Sequence, residues 1–251
     1  MSRNEVKPAV SAADFVEHAE RYQGLLIYSH LRELFSRLNV TCVWDVGANV
    51  GQFANMVRSF TGYDGWMLSF EPVMQAHEKL SQRAERDERW RVFKIALGSR
   101  NEERAIKVAE NAVLSSFLDS SEYSVETFGP MTGVAKEEVV PVRTVDSIAA
   151  EAMDGISDAR VYLKLDTQGW DLEVLRGAED SLSAVVGLQT ELAFKHIYEG
   201  APHYTETLAY LESKGFELSG VFPVVRDQKL RLIEVDCVLV RPEQVSDPRR
   251  T

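Results

Sequence analysis

Four acids, Asp45, Glu71, Asp166 and Glu191, each stand at or near the end of an apolar run of this sequence. A carboxylate at the tip of a buried strand is costly unless it has a partner or a ligand. In the run VWDVGANVG (residues 43–51), Asp45 precedes a turn bracketed by Gly47 and Gly51. Glycine lets the backbone approach a ligand, and the helix that follows presents unpaired N–H groups. Twenty positions after Gly51, the segment WMLSFEP (66–72) ends on Glu71. There two ribose hydroxyls can donate to a carboxylate. The pair points to an adenosine-containing cofactor. Asp45 would face the pyrophosphate of a nicotinamide cofactor, whereas a cofactor bearing a sulfonium and an ammonium group accommodates it.

Asp166 closes the apolar run RVYLKLD (160–166) and is followed by Thr167, Gln168 and Gly169. Lys164, two residues earlier on the same strand face, is a natural partner. Two readings stand side by side. Either a Lys164–Asp166 pair holds the strand end, or Asp166 faces the transferred group and accepts a hydroxyl proton. Glu191, in VVGLQTEL (185–192), is followed by Lys195, His196, Tyr198 and His203. A carboxylate and a neutral imidazole are both suitable bases, which makes Asp166, Glu191 and His196 the catalytic candidates in that order. A divalent ion on Asp166 and Glu191 would lower an alcohol's pKa instead, but the chemistry does not require one. The His196/His203 spacing matches no metal pattern, and no metal ligand set is assigned.

The elements that must position these acids alternate between strand and helix periodicity. Residues 11–38 predict two helices, the second with Leu25, Tyr28, Leu31, Leu34, Phe35 and Leu38 on one face. QFANMVRSF spaces Phe53, Met56, Val57 and Phe60 for one helical face, and Pro72 opens a helix with Val73, Ala76, Leu80 and Ala84 inward. A strand is expected over 90–97, a hairpin from 105–109 with 137–145, and a Ser-rich connection over 111–133 that is either an active-site cover or loose surface. A helix from Asp146 to Ala152, one continuous helix over 170–185, a helix from Tyr204 to Lys214 and strands over 216–222 and 232–241 complete the pattern. The alternation predicts an α/β, doubly wound, mainly parallel sheet with ligands beyond the carboxyl ends of its strands.

The 251 residues suit one large α/β domain at 41–242, preceded by a helical extension at 1–40 and followed by a tail at 243–251. A formal net charge of −11, with no basic block interleaved with aromatics, argues against nucleic acid and anionic lipid as partners. No apolar run spans a bilayer, and the N-terminus lacks a signal-peptide core, so a cytoplasmic location is expected. Cys42 and Cys237 lie in apolar strands predicted on the order of 14 Å apart, too far for a disulfide. The apolar stripe of the second helix is core or a homodimer contact.

With these residues in view, the sequence resembles the FkbM family of S-adenosylmethionine-dependent methyltransferases. The resemblance rests on VWDVGANVGQF (43–53), LSFEPVMQAHEKL (68–80), VFKIALGS (92–99), VRTVDSI (142–148), LKLDTQGWDLEVLRGAEDSL (163–182), TELAFKHIYEG (190–200) and KGFEL (214–218), in family order. It implies a class I methyltransferase (Rossmann-like) fold with seven strands in the order 3-2-1-4-5-7-6, the last antiparallel. It implies S-adenosyl-L-methionine as cofactor and O-methylation of a hydroxyl on a sugar, glycolipid or polyketide-type small molecule. Asp45, Gly47, Asn49 and Gly51 would line the methionine moiety, Glu71 would bind ribose, and Ala96 and Leu97 would border adenine. Ser115 and Ser116 match a serine pair of the family, and Asp166 and Gln168 would lie beside the methyl donor. Trp170 and Asp171 depart from the family's commoner small or aromatic residue and glutamate. The alternatives are an NAD(P)-dependent oxidoreductase and a non-catalytic binding module of the same fold. Against the oxidoreductase stand the missing G-x-G-x-x-G, Asp45 before the turn, and the lack of a Tyr-x-x-x-Lys pair.

Overall fold

Alternating strands and helices close into a sheet covered on both faces in the computed structural model, which describes residues 24–246. The strands are β1 (Cys42–Val46), β2 (Trp66–Phe70), β3 (Trp90–Phe93), β7 (Val161–Leu165), β8 (Val185–Ala193), β9 (Glu217–Arg226) and β10 (Leu232–Val240). Their order is β3-β2-β1-β7-β8-β10-β9. The first five run parallel, and β10 is antiparallel to both its neighbours. This is the seven-stranded order 3-2-1-4-5-7-6 of the class I methyltransferase fold.

Every residue of β1 and β7 is buried, as expected of central parallel strands rich in Val and Leu. One face carries Trp44, Val46, Leu163 and Leu165 against Val145, Ile148, Leu172, Leu175 and Leu211. Those residues come from α5 (Val145–Ala152), α6 (Asp171–Arg176) and α7 (Tyr204–Ser213). The other face carries Val43, Met67 and Tyr162 against α1 (Leu26–Leu38), α2 (Gln52–Thr61) and α3 (Met74–Ala84), through Leu31, Phe35, Leu38, Val57 and Leu80.

Two expectations are corrected. The run 90–97 is not one strand, because the chain leaves the main sheet after Phe93. Ala96–Leu97 (β4) instead joins a three-stranded sheet, β4-β6-β5, with β5 spanning Glu102–Ala109 and β6 spanning Val134–Arg143. The apolar face of that small sheet, Ile106, Val108, Val140 and Val142, packs on Val73 and Ala76, apolar surface that the crossover removes from water. The predicted helix 170–185 breaks after Arg176, with a separate 3-10 turn at Ser181–Ala184. A Cβ on Gly177 would sit 2.0 Å from the Gly98 carbonyl oxygen, so this crossing admits only glycine and the helix stops there. The segment 111–133 is ordered, with α4 (Glu122–Phe128) capped by the Ser121 side chain accepting from Ser124 N–H. It is pinned across the sheet's C-terminal edge by Ser121 N–H to the Ile197 carbonyl and Glu199 N–H to the Asp119 carbonyl, both 2.8 Å.

Smaller differences follow from packing. Phe60 is exposed rather than inward, and Leu25 precedes α1 as its N-cap, while Leu31, Leu34, Phe35 and Leu38 are buried as predicted. Cys42 and Cys237 are buried free thiols, with two strands between their own. The first predicted helix and the last residues of the tail lie outside the described residues. No helix among the described residues is long and apolar enough to cross a membrane.

Candidate active site

Beyond the C-terminal ends of β1, β2 and β7 lies a cavity of about 340 Å3. Val46 to Asn49, Glu71 to Val73, Ala96, Leu97, Ser115, Lys164, Asp166 to Gln168, Gln189, Glu191 and Asp236 line it. The turn after β1 forms its floor. Gly47 has φ +74°, and a Cβ there would sit 1.9 Å from the Asp166 carbonyl oxygen, so β1 and β7 converge here only because residue 47 has no side chain.

Glu71, at the tip of β2, is nearly fully buried and fastened at both oxygens. Its Oε2 accepts from Asn49 N–H and its Oε1 from Val73 N–H, each at 2.8 Å. Burial pushes its carboxyl up to about 7, opposed by those two backbone donors. Each oxygen keeps a lone pair for a further donor. Next to it, Pro72, Val73, Ala96, Leu97 and Ile106 form an apolar slot suited to a flat heteroaromatic ring.

Period-two alternation puts Asp45, Lys164 and Gln189 on one face of the sheet, and the parallel register sets them side by side on β1, β7 and β8. Lys164 Nζ lies 3.3 Å from Asp45 Oδ1 and 3.2 Å from Asp166 Oδ2. Burial alone would favour neutral lysine, but the Asp166 and Asp45 carboxylates outweigh it and hold the ammonium charged. Asp45 is fully buried, which raises its carboxyl despite Lys164. The sequence reading paired Lys164 with Asp166 alone; the fold gives it two acids.

The next row along the same face comprises Asp166, Glu191 and Asp236, with Asp236 opposite Glu191 in the antiparallel register. Gln168 joins two of them, its Nε2 donating to Asp166 Oδ1 at 2.9 Å and Glu191 Oε2 at 3.2 Å. Tyr198 Oη donates to Gln168 Oε1 at 2.7 Å, and Ser116 Oγ donates to the Gln168 carbonyl at 2.7 Å, which fixes the amide's orientation. Asp171 accepts from Thr167 N–H at 2.8 Å, Thr190 Oγ1 at 2.7 Å and Glu191 N–H at 3.2 Å, tying the loop after β7 to β8. Trp170, the other departure from the family pattern, lines the cavity beneath the Arg104 guanidinium.

The structure brings Gly47, Asn49, Glu71, Ala96, Leu97, Ser115, Asp166, Gln168 and Glu191 to one cavity. Asp45, Gly51 and Ser116 stand behind that wall. His196 is exposed and is not among the lining residues, because the chain after β8 turns outward there. Tyr28, Gln189 and Asp236 line the cavity but were missed as candidates. The alternation of acids in LIEVDCVLV, two carboxylates in an otherwise apolar strand, was the available signal for Asp236.

Three buried acids, Glu71 and Asp236 in the cavity wall and Glu234 on β10, give the protein an unusual pH profile. Burial raises Glu71 to about 7, Glu234 to about 8 and Asp236 to about 6. The folded chain therefore binds more protons than the unfolded chain between pH about 4 and about 8, and stability falls as pH rises through that window. His30 and His77, held low chiefly by burial, act in the opposite sense near their ordinary value. The urea midpoint should be higher at pH 5.5 than at pH 8.5; a midpoint that climbs with pH would contradict these environments.

The family model of the methyltransferase FkbM domain matches residues 45–218. The chain belongs to the FkbM methyltransferase family. The matched span begins at Asp45 within β1 and contains β2, β7, Glu71, Asp166 and the Gln168 loop. A solved methyltransferase FkbM from Methylobacillus flagellatus is 16% identical over 80% of this chain and 43% of that one, with a TM-score of 0.48. The chain thus spans less than half the length of that protein. A precorrin-6y C5,15-methyltransferase from Geobacter metallireducens is 11% identical over 83% of this chain and 86% of that one (TM-score 0.42). An Aeropyrum pernix fibrillarin in complex with S-adenosyl-L-methionine is 10% identical over 84% and 73% (TM-score 0.44). A comparison with curated proteins found no match.

Proposed function

We propose that this FkbM-family chain is an S-adenosylmethionine-dependent O-methyltransferase acting on a hydroxyl of a small, sugar-like or polyketide-type molecule. The observation that carries the reading is Glu71, a carboxylate locked by Asn49 and Val73 N–H at the cavity wall, between the Gly47–Asn49 turn and an apolar slot. The residues present suit the donor by their chemistry: Glu71 for the ribose diol, Pro72, Val73, Ala96 and Leu97 around adenine, and Gly47 to Asn49 with Asp166 toward the methionine end. When bound, the cofactor supplies a methyl group on a sulfonium, already a strong electrophile.

The protein's task is then positioning and proton removal. Asp166 is the best-placed base, since its side chain is the most open of the row, at 38% exposure, and Lys164 and Gln168 fix both its oxygens. It orients the acceptor hydroxyl and takes its proton as the new C–O bond forms. Glu191 lies behind, coupled to Asp166 through Gln168. His196 has no part in this scheme. No metal is needed for it.

Calorimetric titration with S-adenosylmethionine, S-adenosylhomocysteine and NAD tests the donor site. Binding of the two sulfur compounds but not NAD supports the reading, and binding of NAD alone sinks it. For the chemistry, Asp166→Asn should lower single-turnover methyl transfer by roughly 10²- to 10⁴-fold, with S-adenosylhomocysteine affinity nearly unchanged. Full turnover by that variant would remove Asp166 from the role.

A further inference from the structure

The β8–β10 wall of the cavity holds buried carboxyl groups that no cation among the described residues pairs with. Glu191 and Asp236 lie opposite each other on β8 and β10, and Glu234, outside the cavity lining, precedes Asp236 by two residues on the same strand. None of the three has a Lys, Arg or His within ion-pair distance among the described residues, although many surface carboxylates of this chain do. Among the described residues Lys164 is the one cation lining the cavity, and Asp45 and Asp166 already engage it. The partners Glu191 and Asp236 do have are neutral amides: Gln168 Nε2 on Glu191, and Gln189 Nε2 on Asp236 at 3.0 Å.

A second observation points to what belongs there. Gln189 lines the same cavity and is only 4% exposed. With its Nε2 given to Asp236, its Oε1 accepts no hydrogen bond at all. An orphaned buried acceptor is destabilising, so this one calls for a donor. Two unpaired carboxylates and an amide oxygen are all acceptors. Their complement is a group with several N–H donors and a positive charge. Tyr28 lines the cavity as well, and an aromatic ring adds attraction for a cation that has shed its water.

We propose that the methyl acceptor is an amino alcohol, such as an amino-bearing sugar or cyclitol, whose ammonium group is held by Glu191, Asp236 and Gln189 Oε1 while a neighbouring hydroxyl faces Asp166. This deepens the methyltransferase reading and rests on it. The ammonium anchors the substrate at the β8–β10 wall, and Asp166 on β7 is the adjacent carboxylate, so the anchored group and the methylated group are distinct atoms of one molecule. Burial raises the carboxyls of Glu191 and Asp236, so an arriving cation would displace protons from this wall. Lys164, Asp166, Asp171 and Glu234 are the other charged groups in that field.

The test is calorimetry on the full chain, with and without saturating S-adenosylhomocysteine. The ligands are matched pairs: glucosamine against glucose and N-acetylglucosamine, 2-deoxystreptamine against inositol, and methylammonium against sodium at equal ionic strength. At least one amine should bind tenfold or more tightly than its neutral partner. Asp236→Asn should remove that preference, leave S-adenosylhomocysteine affinity within about threefold, and leave the unliganded protein at least as stable as wild type near pH 8, because it removes a charge that folding must bury. Glu191→Gln should weaken amine binding in the same sense. If no amine outcompetes its neutral partner, the proposal falls. It also falls if Asp236→Asn cuts S-adenosylhomocysteine affinity tenfold and spares amine selectivity, since the acids would then serve the cofactor. Failure of S-adenosylhomocysteine to bind, with amine selectivity intact, would sink the donor reading and leave the cation site standing.

Discussion

Lys164→Met should destabilise the protein by about 3–5 kcal/mol, the largest effect expected of any single substitution at the site. Lys164 is the counter-ion of Asp45, which has no exposed surface and whose two oxygens lack any partner of hydrogen-bond geometry. At 3.3 Å the pair attracts by roughly 5 kcal/mol if the effective dielectric constant is about 20. Methionine fills much of the lysine's volume, so the loss reports charge rather than a hole. A buried pair is weak evidence of net stabilisation, because both charges were desolvated to make it, yet removing one partner strands the other. The double variant Asp45→Asn/Lys164→Met should therefore recover most of the loss. Urea unfolding of the four proteins in a mutant cycle measures the coupling directly. A single-variant loss under about 1 kcal/mol, or additive effects, would mean that Asp45 already stands neutral beside Lys164.

The second large effect is expected from Glu71→Ala, which should weaken S-adenosylhomocysteine binding by about 100-fold or more. Two ribose hydroxyls would lose hydrogen bonds to a carboxylate, worth about 1.5–3 kcal/mol each. The variant also frees the N–H groups of Asn49 and Val73, both now held at 2.8 Å, and Asn49 sits at φ +46°, where loss of its tether loosens the turn itself. Calorimetry on the variant beside wild type measures the loss. Glu71→Gln should fall between the two, since one amide oxygen can keep one backbone donor while the amide nitrogen repels the other. Affinity within threefold of wild type would place the adenosine elsewhere and remove the main support for the donor site.

How much of this was legible beforehand differs from residue to residue. Val43, Trp44 and Val46 mark a buried strand, and the glycine-bracketed turn with Glu71 two strands' length later marks a nucleotide-type site, because both signals are local. The break at Gly177 was not legible, since it depends on the Gly98 carbonyl crossing from a remote part of the chain. His196 looked like a base by residue type, but residue type does not say which way a loop turns.

By itself the sequence determined the alternation of strands and helices, the acids at strand ends, and which residues of each strand share a face, because a period of two is written in the chain. Thus Asp45 with Val43, Lys164 with Tyr162, and Asp236 with Glu234 could each be assigned a side. Only the tertiary structure decided which strands are neighbours, and through that which charges meet. The parallel register of β1 and β7 gave Lys164 its second acid, and the antiparallel insertion of β10 between β8 and β9 carried Asp236 to the wall that Asp166 and Glu191 share. The α1 helix, read as an extension, laid Tyr28 over the same cavity. Alternation is a property of one strand, whereas a site is made between strands, and the register that joins them is set by packing on both faces of the sheet.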